Sequence, residues 1–440
     1  MSAKRTIFNQ CRGKQRGAVL MVMLIIMIIG AITILVSSLN SSTLQIERDK
    51  VTADALAKAR NALIGRAVAD GTSPGSLPCP DTNNDGSAES TVTPTPGNCP
   101  SYIGRLPWKT LGLSDDLRDG YGERLWYALS PNFRDYVTSN PINSNSQGNL
   151  TVSGATTASN VIAIVFAPGA VVSGQSRSPT NMISCTTSGT SVTENLCATN
   201  YLEGTNANLN TTSANLNYQS SSTTVPFNDR LLLIKTNDII PIVETRVVKK
   251  LTNLFASYLS ANGNKYPYPA NFNACTSTSC PSDTTTCIGK IPTTGATALA
   301  LPSWFIPNNW FDVVYYSAGT NVLTTGGGGT GIIGKGKKGK GSGGLGGGGG
   351  GGGAPGTGFG CYTILSVFNP NLVSTVNVNA LLLMPGTSLG TQSRTGVNAS
   401  LSLSPTNNLS NYFDDTENTN LDNVYVIPNA TSNDTLNALP

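Results

Sequence analysis

The first question is which residues in this 440-residue chain have side chains suited to chemistry. The chain contains no histidine, which excludes Ser-His and Cys-His nucleophile pairs and histidine-ligated metals. No Ser-x-x-Lys pattern is present to activate a serine in another way. The residues left for chemistry are cysteines, carboxylates and lysines, and none forms a nucleophile paired with a base. We therefore expect a protein that is not an enzyme and has no organic cofactor.

Eight of the nine cysteines follow the N-terminal region, and an even number in an exported chain predicts disulfides. Cys79 with Cys99 and Cys185 with Cys197 are the local pairs. The other four cysteines allow three connectivities, and the position of Cys287 before Gly-Lys-Ile-Pro favours its pairing with Cys275 or Cys280. With no Cys-x-x-Cys spacing, zinc binding is not expected. The eight predicted disulfide cysteines are Cys79, Cys99, Cys185, Cys197, Cys275, Cys280, Cys287 and Cys361.

An acidic loop offers the one candidate metal site. Asp81, Asn83, Asp85 and Glu89 place oxygen atoms at alternate positions around Gly86, as loops that bind hard cations do. The glutamate that a calcium loop needs at its twelfth position is missing. The segment is either a calcium site or a plain turn rich in Asn and Asp.

The formal net charge of +4 is unevenly distributed. Part of the positive excess lies in residues 1–17, which contain basic residues and no acidic residue. Another part lies in four lysines of a glycine-rich tract over 326–360. The rest of the chain is mildly acidic, so no nucleic-acid partner is expected. The tract lacks the Gly-x4-Gly-Lys-Ser/Thr pattern of a phosphate loop and is predicted to be a disordered insertion.

The N-terminal region determines where the remaining elements lie. Residues 18–36 are almost entirely apolar, and the sequence continues without proline and with helical spacing to Asp70. We therefore predict one helix over 18–70, with a transmembrane segment over 18–39. The basic residues before it would place the N-terminus in the cytoplasm of a bacterium and the body in the periplasm, as a single-pass inner-membrane protein.

The same region resembles the type IV pilin and type II secretion pseudopilin superfamily. Arg16-Gly17 followed by Ala18-Val19-Leu20 and the apolar run is similar to a basic prepilin leader, here residues 1–17. The resemblance implies cleavage between Gly17 and Ala18 by a prepilin peptidase and methylation of Ala18. It also implies other pilins or pseudopilins as partners through this helix. Val22 replaces the usual glutamate at the fifth mature position, as in minor or tip components.

The region after the helix contains two copies of one pattern. The first copy has Gly-Arg-Leu-Pro (104–107), Tyr-Leu-Glu (201–203) and Asn-Asp-Arg-Leu-Leu-Leu-Ile (228–234). The second has Gly-Lys-Ile-Pro (289–292), Tyr-Phe-Asp (412–414) and Asp-Asn-Val-Tyr-Val-Ile (422–427). Each copy opens with a helix and continues in short apolar runs typical of strands. The predicted fold class is α+β, an internal duplication with a first pilin-like head over 71–235 and a second over 236–440.

These observations predict a structural subunit of the minor pilin or pseudopilin type, membrane-anchored before assembly. Two heads are bulky for a repeating subunit, so we expect a position at or near the filament tip, with the body at the cell surface after assembly. The alternative is an adhesin or recognition module on a single-span anchor.

Overall fold

The structure is a computed structural model, and its fold is mixed α/β, which corrects the predicted class of α+β with a long transmembrane helix. The predicted leader up to residue 15, the whole glycine insertion (326–360) and Cys361 lie outside the residues that it describes. The described ranges are 16–89, 98–135, 141–178, 185–187, 190–192, 197–208, 216–276, 279–284, 286–319, 365–369, 374–389, 392, 394, 409–419, 424–427 and 432–440.

The predicted N-terminal helix is observed as α1 (Arg16–Ala69), but the transmembrane assignment over 18–39 is wrong. Among the described residues, no helix is long and apolar enough to cross a membrane.

The first half of the molecule is built on a six-stranded sheet laid against α1. Its strands run in the order β1-β2-β4-β3-β7, and β8 pairs with the other edge of β4. A separate hairpin is formed by β5 and β6. The strands are β1 (Ile103–Arg105), β2 (Trp126–Leu129), β3 (Leu150–Ser153), β4 (Ala158–Ala167), β5 (Cys185–Thr187), β6 (Thr190–Val192), β7 (Asn217–Gln219) and β8 (Arg230–Lys235).

The second half begins with the helix α2 (Thr236–Ala261), whose buried side chains recur every three or four residues. A short helix, α3 (Trp310–Val313), precedes its central strand. One sheet has the order β15-β13-β10-β9 and another the order β12-β11-β14. The strands are β9 (Ile288–Lys290), β10 (Tyr315–Ala318), β11 (Leu365–Asn369), β12 (Ser374–Val378), β13 (Ala380–Met384), β14 (Val424–Val426) and β15 (Thr435–Ala438).

The two halves repeat one strand arrangement. In both, a short strand with a glycine at its centre pairs antiparallel with a tyrosine-bearing strand: Gly104 lies opposite Tyr127, and Gly289 opposite Tyr316. That strand pairs in turn with β4 or β13, and the outer neighbours are β8 and β15. The register also corrects one pairing of motifs. Residues 228–234 correspond to 433–439, whereas Asp-Asn-Val-Tyr-Val-Ile lies at β14, the counterpart of β7.

The halves share one hydrophobic core, so they are not two heads joined end to end. Apolar side chains from α1, α2 and both large sheets belong to the same buried cluster. At the junction, the Ser73 hydroxyl donates to Asn308 Oδ1 over 3.0 Å, and Arg60 pairs with Asp238 at 2.7 Å. The Arg246 guanidinium donates to Asp70 O over 2.5 Å at the end of α1. Contacts of this kind bind the second half to the first helix.

Candidate functional site

The most unusual surface of the molecule is the N-terminal part of α1, which we call the apolar segment (Leu20–Ile32). Its large side chains are between 49% and 70% exposed, on every side of the helix. Farther along the same helix, Ala59, Leu63 and Ala67 are fully buried against the sheet. One continuous helix therefore has a packed part and an unpacked apolar part. A helix that is apolar on all sides is normally buried on all sides.

The residues predicted to be processed lie at the beginning of α1. Gly17 and Ala18 both have helical backbone in the first turn of α1. Val22, which takes the place of the family's glutamate, is 56% exposed within the apolar segment. The acid missing from this position is not supplied elsewhere in the segment, because its sequence from Leu20 to Ile32 contains no carboxylate.

A buried arginine organises the loops at the end of the first sheet. The Arg177 guanidinium donates to the carbonyl oxygens of Gly169 (2.7 Å), Asn200 (3.0 Å) and Tyr201 (3.1 Å), and to Gln175 Oε1 (2.9 Å). It also lies 3.4 Å from a Glu123 oxygen. Gln175 Nε2 then donates to Glu203 over 2.7 Å. A planar guanidinium suits this role because its five N–H groups diverge in fixed directions.

Arg394 makes the same set of bonds in the second half. It donates to the carbonyl oxygens of Gly386 (2.6 Å), Asn411 (2.7 Å) and Tyr412 (2.7 Å), and to Gln392 Oε1 (2.5 Å). Gln392 Nε2 donates to an Asp414 oxygen over 2.7 Å, as Gln175 does to Glu203. We call these two clusters the arginine hubs. Both arginines end a motif that the two copies share in sequence, Gly-Gln-Ser-Arg at 174–177 and Thr-Gln-Ser-Arg at 391–394. This repetition marks the two arginines as equivalent, although it does not predict their role.

Each arginine hub is attached to a pair of acids, of which Glu203, Asp229 and Asp434 are buried and Asp414 is partly exposed. In the first half, Glu203 Oε2 accepts the Asp229 N–H (2.9 Å), and Asp229 Oδ2 accepts the Glu203 N–H (3.0 Å). Burial and the nearby Glu203 charge raise the pKa of Asp229 to about 8. In the second half, Asp434 Oδ2 accepts the Asp414 N–H over 2.9 Å, and burial, with a smaller contribution from the Asp414 charge, raises the pKa of Asp434 to about 7. At pH 7 Asp229 therefore holds its proton most of the time, and Asp434 about half of the time.

Two buried cations occupy equivalent positions on β1 and β9. The Arg105 guanidinium carbon lies 4.3 Å from the Trp126 ring and 4.1 Å from the Tyr201 ring. The Lys290 ammonium lies 3.6 Å from the Tyr315 ring and donates to Asp312 O over 2.6 Å. Burial lowers the pKa of Lys290 to about 7. Contacts between a cation and an aromatic face replace part of the hydration that each charge loses.

The predicted acidic loop folds as a series of turns. Asp81 Oδ1 accepts the Asn84 N–H (2.6 Å), and Asp81 Oδ2 accepts the Gly86 N–H (2.7 Å). Asp85 Oδ1 accepts the N–H of Ser87, and Glu89 Oε1 accepts that of Thr82. Asn83 Oδ1 accepts the N–H of Asp85. In the described part of the chain, no group of three or more acidic or cysteine side chains is placed to hold a metal ion.

The disulfides are partly as predicted. Cys79 and Cys99 are bonded. Cys275 bonds to Cys280, so the pairing of Cys287 with either of them is wrong. The two residues lie only five positions apart, and their Cα atoms are 4.1 Å from each other. Because they are bonded to each other, neither is left to pair with Cys287. Cys197 and Cys287 each belong to a disulfide as well. Disulfides are typical of an oxidising compartment.

Two Gly-x-Ser-x-Gly pentapeptides, at 71–75 and 386–390, also occur in the chain, although the sequence reasoning did not recognise them. Neither has the surroundings of a hydrolase nucleophile, which needs an adjacent base. The Ser73 hydroxyl donates to Asn308, and the Ser388 hydroxyl donates to the Gln392 carbonyl oxygen over 2.9 Å. Both serines lie outside helices and strands.

Comparison with known proteins adds no relative: no family model, no curated protein and no solved structure matches this chain.

Proposed function

We propose that this chain is a structural subunit that assembles with other pilin-like proteins into a filament of the type IV pilus or type II secretion class. The observation that supports this function is the apolar segment of α1. Eleven large apolar side chains between Leu20 and Ile32 are about half exposed or more. Burying the remainder of each contributes roughly 1 kcal/mol, so the total of about 10 kcal/mol is comparable to the stability of a whole domain.

The occupant that fits the apolar segment is the same kind of helix from neighbouring subunits. A helix exposed on all sides needs partners on all sides, which a bundle of parallel helices in a filament core provides. The body that remains outside such a bundle is large, because it contains two sheet systems on one core. This bulk and the absence of a carboxylate at Val22 favour a place at or near the tip. The disulfides fit assembly from a periplasmic compartment.

Site-specific photo-crosslinking tests this function directly. A benzoylphenylalanine placed at Ile25 in the apolar segment is expected to crosslink to the N-terminal helix of another subunit in cells that produce the whole chain. The same probe at Val376, which is 57% exposed on β12, is the control and is expected to give no such product. Mass spectrometry identifies the attached peptide. Adducts at Ile25 that contain only lipid, or none at all, would contradict a filament role.

A charged substitution gives an independent readout. Ile28→Lys places an ammonium among packed helices, where desolvation disfavours it strongly, so we expect the variant to be lost from sheared filaments. Val376→Lys is the matched control and is expected to remain. Equal recovery of the two variants would mean that the apolar segment is not buried in an assembly.

A further inference from the structure

The strongest unassigned feature is a cleft of about 520 Å³ between α2 and the edge of the second large sheet. We call it the α2 cleft and define it by Glu244, Thr245, Gly386, Asn433 and Thr435, which line it. The proposed filament function does not involve these residues. Comparison with the first half shows what such a cleft is shaped to hold.

The equivalence of the two helices sets the comparison. Buried positions Thr52, Ala55, Ala59 and Leu63 of α1 recur 192 residues later as Glu244, Val247, Leu251 and Phe255 of α2. Similarly, the strand register makes Gly386 the counterpart of Gly169, since each lies two residues beyond β13 or β4 after a proline. Glu244 and Gly386 thus stand where Thr52 and Gly169 stand in the first half.

In the first half, a loop of the chain itself occupies this place. Asp119 Oδ2 accepts the Gly169 N–H over 2.8 Å, and the Gly120 N–H donates to Thr52 Oγ1 over 2.9 Å. Gly120 lies so close to the helix that an added Cβ would be 2.2 Å from Arg48 O. Only a residue without a side chain fits there. The loop therefore binds through one carboxylate, one N–H group and a close glycine contact.

In the second half, the equivalent segment is used elsewhere. The residues before β10 enter the core: Asn308 and Trp310 are fully buried, and Phe311 nearly so. Asn308 accepts hydrogen bonds from Ser73 and from the Ile142 N–H, at the junction of the halves. The α2 cleft consequently lacks the loop that fills its counterpart.

The groups left in the α2 cleft are complementary to such a loop. Within the described residues, the Gly386 N–H has no acceptor, although the Gly169 N–H has Asp119. Glu244 is 3% exposed, and one of its oxygens accepts the Ser144 hydroxyl while the other has no protein partner among the described residues. Burial raises the pKa of Glu244 to about 7, which limits its repulsion of an incoming carboxylate. Arg394 also donates to Pro385 O over 3.2 Å, which places positive charge behind the peptide unit that carries the Gly386 N–H.

We propose that the α2 cleft binds a surface loop of a partner protein in which an aspartate is followed by glycine. The aspartate carboxylate accepts the Gly386 N–H, the next N–H donates to Glu244, and the glycine allows the loop to lie against α2. This site does not depend on the filament function, because neither its lining nor its ligand involves the apolar segment.

The test uses the full chain in a nonionic detergent and a labelled peptide with the sequence of residues 118–124, Arg-Asp-Gly-Tyr-Gly-Glu-Arg. Fluorescence anisotropy is expected to show saturable binding, weakened about tenfold or more when the peptide aspartate becomes asparagine. Thr245→Trp, at an exposed lining position, is expected to abolish binding. Ser257→Trp, exposed on the same helix outside the cleft, is the control and is expected to bind normally.

A second variant that also blocks the cleft keeps the test valid if Thr245→Trp does not fold. Thr435→Trp lies on the exposed face of β15 and also narrows the cleft, so it is expected to abolish binding as well. Unchanged thermal unfolding of both variants shows that they are folded. Absence of saturation up to about 1 mM peptide, or binding unaffected by both tryptophans, would overturn the proposal.

Discussion

The arginine hub of the second half gives the sharpest prediction about stability. Arg394 is 7% exposed and donates five hydrogen bonds, four to backbone carbonyls and one to Gln392. Replacing it by methionine keeps most of the apolar stem but leaves these acceptors buried without a donor. A buried unsatisfied acceptor costs about 1 kcal/mol or more, so Arg394→Met is expected to lower the free energy of unfolding by about 3–5 kcal/mol.

The identity of the cation determines a second, finer expectation. Arg394→Lys keeps the charge but has a single ammonium, which cannot reach acceptors that surround a planar fork. We expect roughly half the loss of the methionine variant. Lys249→Met, at an exposed position of α2, is the matched control and should change stability by less than about 0.5 kcal/mol.

Urea unfolding followed by circular dichroism measures these differences in detergent at neutral pH with the disulfides intact. With a slope of about 3 kcal/mol per molar urea, the loss in Arg394→Met corresponds to a midpoint about 1–1.7 M lower. Arg177→Met probes the equivalent hub and should cost a similar amount. A loss below about 1 kcal/mol in both methionine variants would refute the argument that the hubs hold the loops in place.

Three other predictions concern pH, metal and processing. Because the raised pKa values of Asp229, Glu244 and Asp434 let the native state keep protons that the unfolded state has lost, the free energy of unfolding should fall between about pH 5 and pH 6.5, by up to about 1.4 kcal/mol per pH unit for each group. Lys290 does not contribute to this pH dependence, since it is protonated in both the native and the unfolded state below its native pKa of about 7. Urea midpoints should fall over this pH range, and Asp229→Asn should reduce the fall. A free energy of unfolding that rises over the same range would contradict the assignment. Since loop N–H groups already occupy Asp81, EDTA should shift the thermal midpoint by less than about 1 °C, and a loss of several degrees would instead establish a bound cation. Mass spectrometry of protein from producing cells should find a methylated N-terminus at Ala18, and any other first residue would exclude prepilin-type processing.

Local patterns in the sequence predicted local structure well. Unbroken helical spacing gave α1 within two residues of its observed bounds, and the three-to-four spacing after Pro241 marked the buried face of α2. These features depend on residues close together in the chain, which is what periodicity records. The strands around Tyr127 and Tyr316 were found for the same reason, as short apolar runs between turns.

What the sequence did not predict depends on contacts between distant residues. Asn433-Asp434 was missed as the partner of Asn228-Asp229 because the two segments share only Asn-Asp and one leucine, and the register of β8 and β15 shows the match. The disulfide between Cys275 and Cys280 depends on the local path of the loop, which composition does not contain. The α2 cleft follows from an absent loop, and only the comparison of two folded halves makes an absence visible.

The attachment of α2 to the end of α1 has a mechanical consequence. Asp70, the residue after α1, bonds to Arg66 of that helix and is held from the other side by Arg246 of the second half. A pull along α1, as an extending or retracting fibre would apply, is therefore divided between both sheet systems. The shared core distributes such a load over many contacts at once, so the second half stabilises the first half under tension.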